Sequence, residues 1–299
     1  VQAVLDHLQT AADLPESFFE VFVVDPGHRL LGHIFLDNLL RSARDATVDR
    51  IMAQDRRLVD VIDESEEVAR VFQRYNLVSA PVVDEAGRLV GVITIDDMVD
   101  VLQEEADDEI KALGGVRSDE EISDDVWFIT RSRFGWLFVN LLTAFLASAV
   151  LGLFEVELQK MVALAVLAPI VASQGGNAAT QTMTVAVRAL AMRELGAANA
   201  MRVTSREATV GLFNGIGFGL LTGIVASLWF GDWNLGIVIG LAMVVNLVAG
   251  ALGGILIPLA LDKYGADPAV SSGVFVTTVT DVVGFFSFLG IATLWFGLG

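Results

Sequence analysis

A single carboxylate, Asp281, interrupts an otherwise uncharged stretch from residue 268 to 299, about 13 residues in. At ~1.5 Å per residue it falls near the middle of a helix able to cross a bilayer. An acid at that depth costs about 2.5–3.5 kcal/mol on insertion scales, so such residues usually face a water-filled path and serve ions or protons. Thr277 and Gly273 share its face on the side toward the chain's inner end, and Gly284 follows at i+3. That stripe offers oxygen ligands and exposed backbone. An Asp held by Ser or Thr purely for helix packing fits the same residues.

A second polar stripe lies in the uncharged stretch 161–187. Ser173, Asn177, Gln181 and Thr184 recur at i, i+4, i+8 and i+11 on one face of an apolar helix. Pro169 and the pair Gly175-Gly176 are expected to loosen or break the helix beside that face and free carbonyls toward a cavity. Close helix packing is the other use of such a pair. Asn140, Asn214 and Asn246, one each in three other apolar stretches, read as interhelical hydrogen bonds.

The third concentration of chemistry is acidic. Residues 96–109 read DDMVDVLQEEADDE, eight carboxylates in 14 residues, with Asp97, Glu104, Glu105 and Asp108 among them. They repel one another along a helix that Met98, Val99, Val101, Leu102, Ile110 and Leu113 still permit. Bound divalent ions would cancel that repulsion. A solvated charged linker is the plainer reading. A salt-adapted surface is another, because Asp (22) exceeds Glu (15) and Lys supplies only 3 of 19 cations.

The elements that position these groups follow from where charge sits. Of 299 residues 54% are hydrophobic, yet the net charge is −18; one core and one surface cannot carry both. Residues 1–130 hold 29 acids and 11 Lys or Arg, and residues 131–299 hold 8 of each, so the whole excess belongs to an N-terminal soluble module. The neutral part contains uncharged stretches at 134–154, 161–187, 208–231, 233–261 and, broken only by Asp281, 268–299. Each suits a transmembrane helix of about 20 residues. Arg131, Arg133, Arg188, Arg193, Arg202 and Arg206 flank one side, whereas the loops 155–160 and 231–233 hold a single cation. The positive-inside rule then places the acidic module in the cytoplasm and the C-terminus outside.

The soluble module repeats itself. VDPGHRLLGHIFLDNLL at 24–40 and VDEAGRLVGVITIDDMV at 83–99 superpose at an offset of 59, matching Asp25 to Asp84, Arg29 to Arg88, Gly32 to Gly91, Ile34 to Ile93 and Asp37 to Asp96. Each copy predicts a strand, a turn, a second strand and a helix capped at Asp37 or Asp96. Helical patterns precede them at 1–11 and 66–75.

These repeats resemble a tandem CBS pair. With the acidic connection, five spans, the patch PIVASQGGNAATQ at 169–181 and the segments DPA at 267–269 and VTTVTD at 276–281, the chain resembles the MgtE family of magnesium channels. The resemblance implies an α+β cytosolic tandem CBS pair followed by an all-α membrane domain of five transmembrane helices. Its expected divisions are 1–45 (first repeat, lacking its opening strand), 46–101 (second repeat), 102–130 (acidic connecting, or plug, helix) and 131–299 (pore domain). It further implies Asp281 as the central pore ligand for Mg²⁺, Thr277 contributing an oxygen, Gly273 allowing close approach, and Asn177 on the pore face. Asp97, Glu104, Glu105, Asp108 and Asp267 become expected regulatory Mg²⁺ ligands, and ATP or another adenine nucleotide an expected ligand of the CBS pair. A CBS pair that only packs and dimerises is the alternative. Mg²⁺ parts reluctantly with its waters, so one carboxylate with neutral oxygens could hold it hydrated. A homodimer sharing the pore would supply two carboxylates. Ala179 stands where family members often have Gly, and the helical domain that usually precedes the CBS pair is absent, so the chain is expected to begin inside a longer protein.

Other classes fit less well. Zero Cys removes thiolate metal and redox chemistry, the charge has the wrong sign for nucleic acid, and there is no basic n-region of a signal peptide. No nucleophile-base set or phosphate loop suggests an enzyme, and His7, His28 and His33 read as ordinary residues of the soluble module. A coupled carrier of Mg²⁺, Co²⁺ or Mn²⁺, with Asp281 as proton relay, and a membrane-anchored nucleotide sensor that moves no ion remain as competing functions.

Overall fold

The computed structural model describes residues 1–12, 14–15, 18–54, 57–196 and 198–298. It divides into two units, Val1–Asp107 and Asp108–Gly299.

The first unit is α+β. Its order is α1 (Gln2–Thr10), β1 (Glu20–Val24), β2 (Leu30–Phe35), α2 (Leu36–Arg41), α3 (Val48–Ile51), β3 (Val59–Asp60), α4 (Ser65–Tyr75), β4 (Ser79–Val83), β5 (Leu89–Thr94) and α5 (Ile95–Leu113). The repeat seen in sequence is a repeat in structure, residue for residue. The antiparallel pair β1-β2 runs from Glu20↔Phe35 to Val24↔Leu30, and β4-β5 from Ser79↔Thr94 to Val83↔Leu89, each pair offset by 59 and each bulged at the same step. Both turns are built the same way: Asp25 Oδ1 accepts from the N–H groups of Gly27 and Arg29, and Asp84 Oδ1 from Ala86 and Arg88. A short Asp side chain closing its own turn is why Asp recurs there. The Arg88 backbone and guanidinium hold the Asp84 carboxyl below the usual carboxylate range.

The copies meet turn to turn, with the Leu30 N–H on the Gly87 carbonyl (3.2 Å) and the Leu89 N–H on the His28 carbonyl (2.9 Å). Among the described residues only the second sheet has a leading strand, β3, parallel to β4. His33 is buried and paired with Glu20, whose other oxygen accepts from Ser79 Oγ at 2.5 Å. Leu5, Ile34 and Leu39 fill one core, and Val59, Val68, Ala69, Phe72, Ala80 and Met98 the other.

Two expectations need correction. Asp37 and Asp96 do not cap their helices: α2 begins at Leu36 after Phe35 and α5 at Ile95, so both acids sit inside the first turn. An acid at the second helical position still suits the positive helix end. The acidic segment is also no separate helix over 102–130. It is the continuation of α5, which closes at Leu113, and Gly114 to Asp125 is turn and loop. Gly115, at φ +69° and packed so that a Cβ would overlap the Trp136 ring, sets that break.

The second unit is all-α: α6 (Val126–Gly152), the short α7 (Glu155–Lys160), α8 (Val162–Ala191), α9 (Ala200–Phe230), α10 (Trp233–Lys263) and α11 (Pro268–Phe296). Five of these helices, with 27 to 31 residues each, are long and apolar enough to cross a membrane. Two of them, α6 from Val126 and α9 from Ala200, start before their uncharged stretches, because arginine-bearing turns remain helical where headgroups can meet them. α8, α10 and α11 share the main core, with Leu164, Leu167, Val171, Val238, Ile239, Met243, Leu247, Phe288 and Leu289 buried. α10 is the most enclosed of the five and α6 the most exposed.

α9 joins the bundle chiefly through α10. Gly211, Gly215, Gly219 and Gly223, four residues apart, lie buried against it. A Cβ at Gly219 would come within 2.7 Å of the Gly240 carbonyl oxygen, and one at Gly223 within 2.7 Å of that of Gly236. Backbone meets backbone, the small-residue packing that replaces hydrophobic drive in lipid. Gly219→Leu is expected to separate the helices and lower stability by about 1–3 kcal/mol or more, seen as a reduced Tm in detergent.

The loop before α6 is anchored. Glu120 is buried, and its Oε1 accepts from Arg133 Nε at 2.8 Å and from Nη2. Arg133 keeps the Glu120 carboxyl below its ordinary value of 4.5. A carboxylate whose native value is depressed stabilises fully above the unfolded value, and the contribution is lost as pH falls through the native one. Acidification below about pH 4.5 is therefore expected to release the loop, and Glu120→Gln to release it at neutral pH, read as faster tryptic cleavage after Arg117.

Candidate functional site

α11 starts at Asp267, whose side chain accepts from the Ala269 N–H at 2.8 Å, followed by Pro268 in the first turn. A cap and a proline fix where the helix begins and hence the depth of everything on it. Gly273, Thr277 and Asp281 follow on one face, each partly exposed, while Ser272, Val276 and Thr280 are buried on the other. The Thr277 hydroxyl donates to the Gly273 carbonyl at 2.9 Å, and the Thr280 hydroxyl to the Thr277 carbonyl at 2.9 Å. The Thr277 oxygen keeps lone pairs free, and a Cβ at Gly273 would meet nothing within 4 Å. Among the described residues no donor or cation meets the Asp281 carboxylate, so the Ser or Thr partner that a packing role requires is missing.

α8 is one continuous helix from Val162 to Ala191, with Pro169 inside it. The expected break at Gly175-Gly176 does not occur. Gly175 is buried against Asn246 of α10, and Gly176 faces Thr280 of α11, where a Cβ would lie 3.7 Å from the hydroxyl. The pair is therefore a packing surface. Ser173, Asn177, Thr180, Gln181 and Thr184 turn away from α10 and are exposed in the single chain.

Contacts put the two stripes in register. A Cβ at Gly284 would lie 3.3 Å from Ala172 Cα, Gly176 stands beside Thr280, and Val276 clusters with Ala179, Met183 and Val187. Running along α11 toward its end thus runs back along α8. Asp281 comes level with Ser173 and Asn177, and Thr277 with Thr180 and Gln181. Of the three asparagines expected to bridge helices only Asn246 does so, donating to the Val171 carbonyl at 2.7 Å; Asn140 and Asn214 are exposed.

The acidic residues of α5 are less gathered. Asp97 accepts from the N–H and hydroxyl of Thr94, both at 2.8 Å, closing the first turn. Glu104 is exposed, Glu105 lies 4.0 Å from Arg70, and Asp108 is partly buried. Among the described residues no group of three or more His, Asp or Glu side chains is close enough to hold a metal ion. Glu64, Glu66, Glu67 and Glu105, with Ser65 and Arg70, line a cleft of about 500 Å³ in the first unit. Sequence reading passed over this group, although DESEE at 63–67 was its signal. The far end of α5 belongs to the second unit, where Leu113 packs against the cluster of Ala179, Met183, Val187 and Val276.

Comparison with known proteins places both parts of the chain in known families. Residues 168–291 match the MgtE family model, described as divalent cation transporter, and residues 48–104 match the CBS domain. Together they define a chain in which a segment of the divalent cation transporter family follows a CBS module. The chain belongs to the MgtE family. It is 34% identical over 295 residues to the magnesium transporter MgtE of Enterococcus faecalis, covering 99% of this chain and 65% of that one. The magnesium transporter MgtE of Thermus thermophilus is 36% identical, over 98% of this chain and 66% of its own; that of Bacillus subtilis is 30% identical, over 96% and 63%. The chain thus spans just under two thirds of the length of the curated relatives it matches.

Proposed function

We propose that this chain carries the pore and much of the sensing part of a Mg²⁺-selective channel that admits magnesium across the cell membrane. The observation that carries the reading is Asp281, a mid-helix carboxylate without a partner among the described residues, level with the hydroxyls and amides of α8. Two copies about a two-fold axis would bring two such carboxylates and two α8 stripes around one path, matching a doubly charged ion. The oxygens are neutral apart from Asp281, and the ring suits a cation that passes with its waters. The relatives' designation as magnesium transporters supports the choice of ion.

Closure is proposed to follow cytosolic Mg²⁺. Ions bridging Glu104, Glu105 and Asp108 of α5 to other acids, Asp97 and Asp267 included, would relieve their mutual repulsion and stabilise the closed state. Low Mg²⁺ restores repulsion and opens the path. Leu113 supports this, because the end of α5 already rests on α8 and α11. In this reading the CBS pair lies in the cytoplasm, the C-terminus lies outside, and the pair takes an adenine nucleotide between its repeats. The deciding experiment is Mg²⁺ current through the purified chain in vesicles, with Mg²⁺ varied on the CBS side. Current that falls as that Mg²⁺ rises is expected; no current, or flux locked to a proton gradient, removes the channel.

A further inference from the structure

We infer that Asn246 is the positioning residue that fixes the spacing of α8 and α11, and through it the separation of the α8 polar stripe from Asp281. The inference rests on the channel reading above. Asn246 is fully buried in α10, between apolar turns. Its amide donates to the Val171 carbonyl of α8 at 2.7 Å. Two glycines make room for it: a Cβ at Gly175 of α8 would overlap the amide, and one at Gly284 of α11 would stand 2.7 Å from Nδ2. Gly175 lies between Ser173 and Asn177, and Gly284 is three residues past Asp281. One side chain therefore touches both helices that carry the pore candidates, within a turn of the residues that matter.

The same junction continues one turn on. A Cβ at Gly250 of α10 would be 2.8 Å from the Gly175 carbonyl and 3.4 Å from Thr280 Cγ2. Three helices are closed on one another with no slack, so the bulk and direction of the Asn246 head decide how far α8 and α11 stand apart. Its Oδ1 has no partner among the described residues. A half-satisfied buried amide is a poor stabiliser beside an apolar side chain of equal volume. Its observed contribution is therefore direction and spacing, a single directed hydrogen bond in a close-packed junction.

The test uses Asn246→Leu, which keeps the volume and deletes the donor, and Gly284→Ala, which pushes on the amide from the other helix. The chain contains no cysteine, so spin labels at Val185→Cys on α8 and Phe275→Cys on α11, both exposed, report the spacing in the full chain diluted with unlabelled copies. In vesicles, Mg²⁺ flux is expected to fall about tenfold and the ratio of Mg²⁺ to Ca²⁺ flux to change severalfold in both variants, with the label distance shifted or broadened and Tm near the parent's. Unchanged distance and unchanged flux ratio overturn the inference. So does a loss of folding in both variants with the parental ratio in the folded remainder, which assigns Asn246 to stability alone. The label distance needs no transport, so failure here is distinct from failure of the channel reading, which shows as absent Mg²⁺ flux in the parent or full flux in Asp281→Asn.

Discussion

Asp281→Asn is expected to remove most Mg²⁺ entry while leaving the membrane unit at least as stable as the parent. Both halves of that result follow from the same fact, that the carboxylate has no partner among the described residues. Folding gains nothing from its charge, and a neutral amide of the same shape avoids the cost of holding an acid at mid-membrane. Transport loses the formal charge that compensates a divalent ion. Interactions with a charged group are worth about 1.5–3 kcal/mol each, so flux should drop about ten- to a hundredfold. Vesicle uptake and Tm measured on one preparation check it. A variant that takes up Mg²⁺ at the parental rate removes Asp281 from the pore; one that loses uptake together with folding returns it to helix packing.

The second large effect concerns closure. Neutralising Glu104, Glu105 and Asp108 together, as Gln, Gln and Asn, is expected to leave uptake running at cytosolic Mg²⁺ concentrations that shut the parent. The physical reason is the crowding of carboxylates on α5. In the proposed closure their repulsion would keep the helix from its closed setting until divalent ions cancel it, and neutral residues have neither repulsion to cancel nor ligands to offer. Among the described residues no metal cage is preformed, so the proposed site would be assembled on closure, with binding coupled to that change. Uptake measured against CBS-side Mg²⁺ gives the result, and protease protection of residues 101–125 gives it without transport. Protection in the parent at millimolar Mg²⁺, absent from the triple variant, is expected. Protection that needs molar monovalent salt, where the Debye length is about 3 Å, would instead mark a salt-adapted surface.

The parts legible in sequence are those set by local pattern. The offset of 59 survives to each hydrogen-bonded pair because turns closed by Asp25 and Asp84 are local devices. The five long helices were visible as uncharged lengths, because hydrocarbon tolerates little else. Local pattern misled where a neighbouring helix decided the matter. Gly175-Gly176 looks like a helix breaker, yet in α8 it is the recess that receives Asn246 and Thr280. Asn140 and Asn214 match Asn246 in type and setting, and only the packing of α10 against α8 separates them. Asp37 and Asp96 carry the right chemistry for caps but stand two residues past the cap position. The four-residue spacing of Gly211, Gly215, Gly219 and Gly223 was readable, and it names the α9 face that meets α10.

That glycine face has a mechanical consequence. Carbonyls and α-carbons in direct contact cannot roll over one another as long side chains can, since any rotation drives backbone into backbone. α9 and α10 are thus clasped into one stiff plank, with α9 as its outer edge. In the proposed channel, opening and closing would then be borne on the far edge of the plank, where α8 and α11 meet α10, and on the thinly held α6; a cross-link locking α9 to α10 is expected to leave that gating intact.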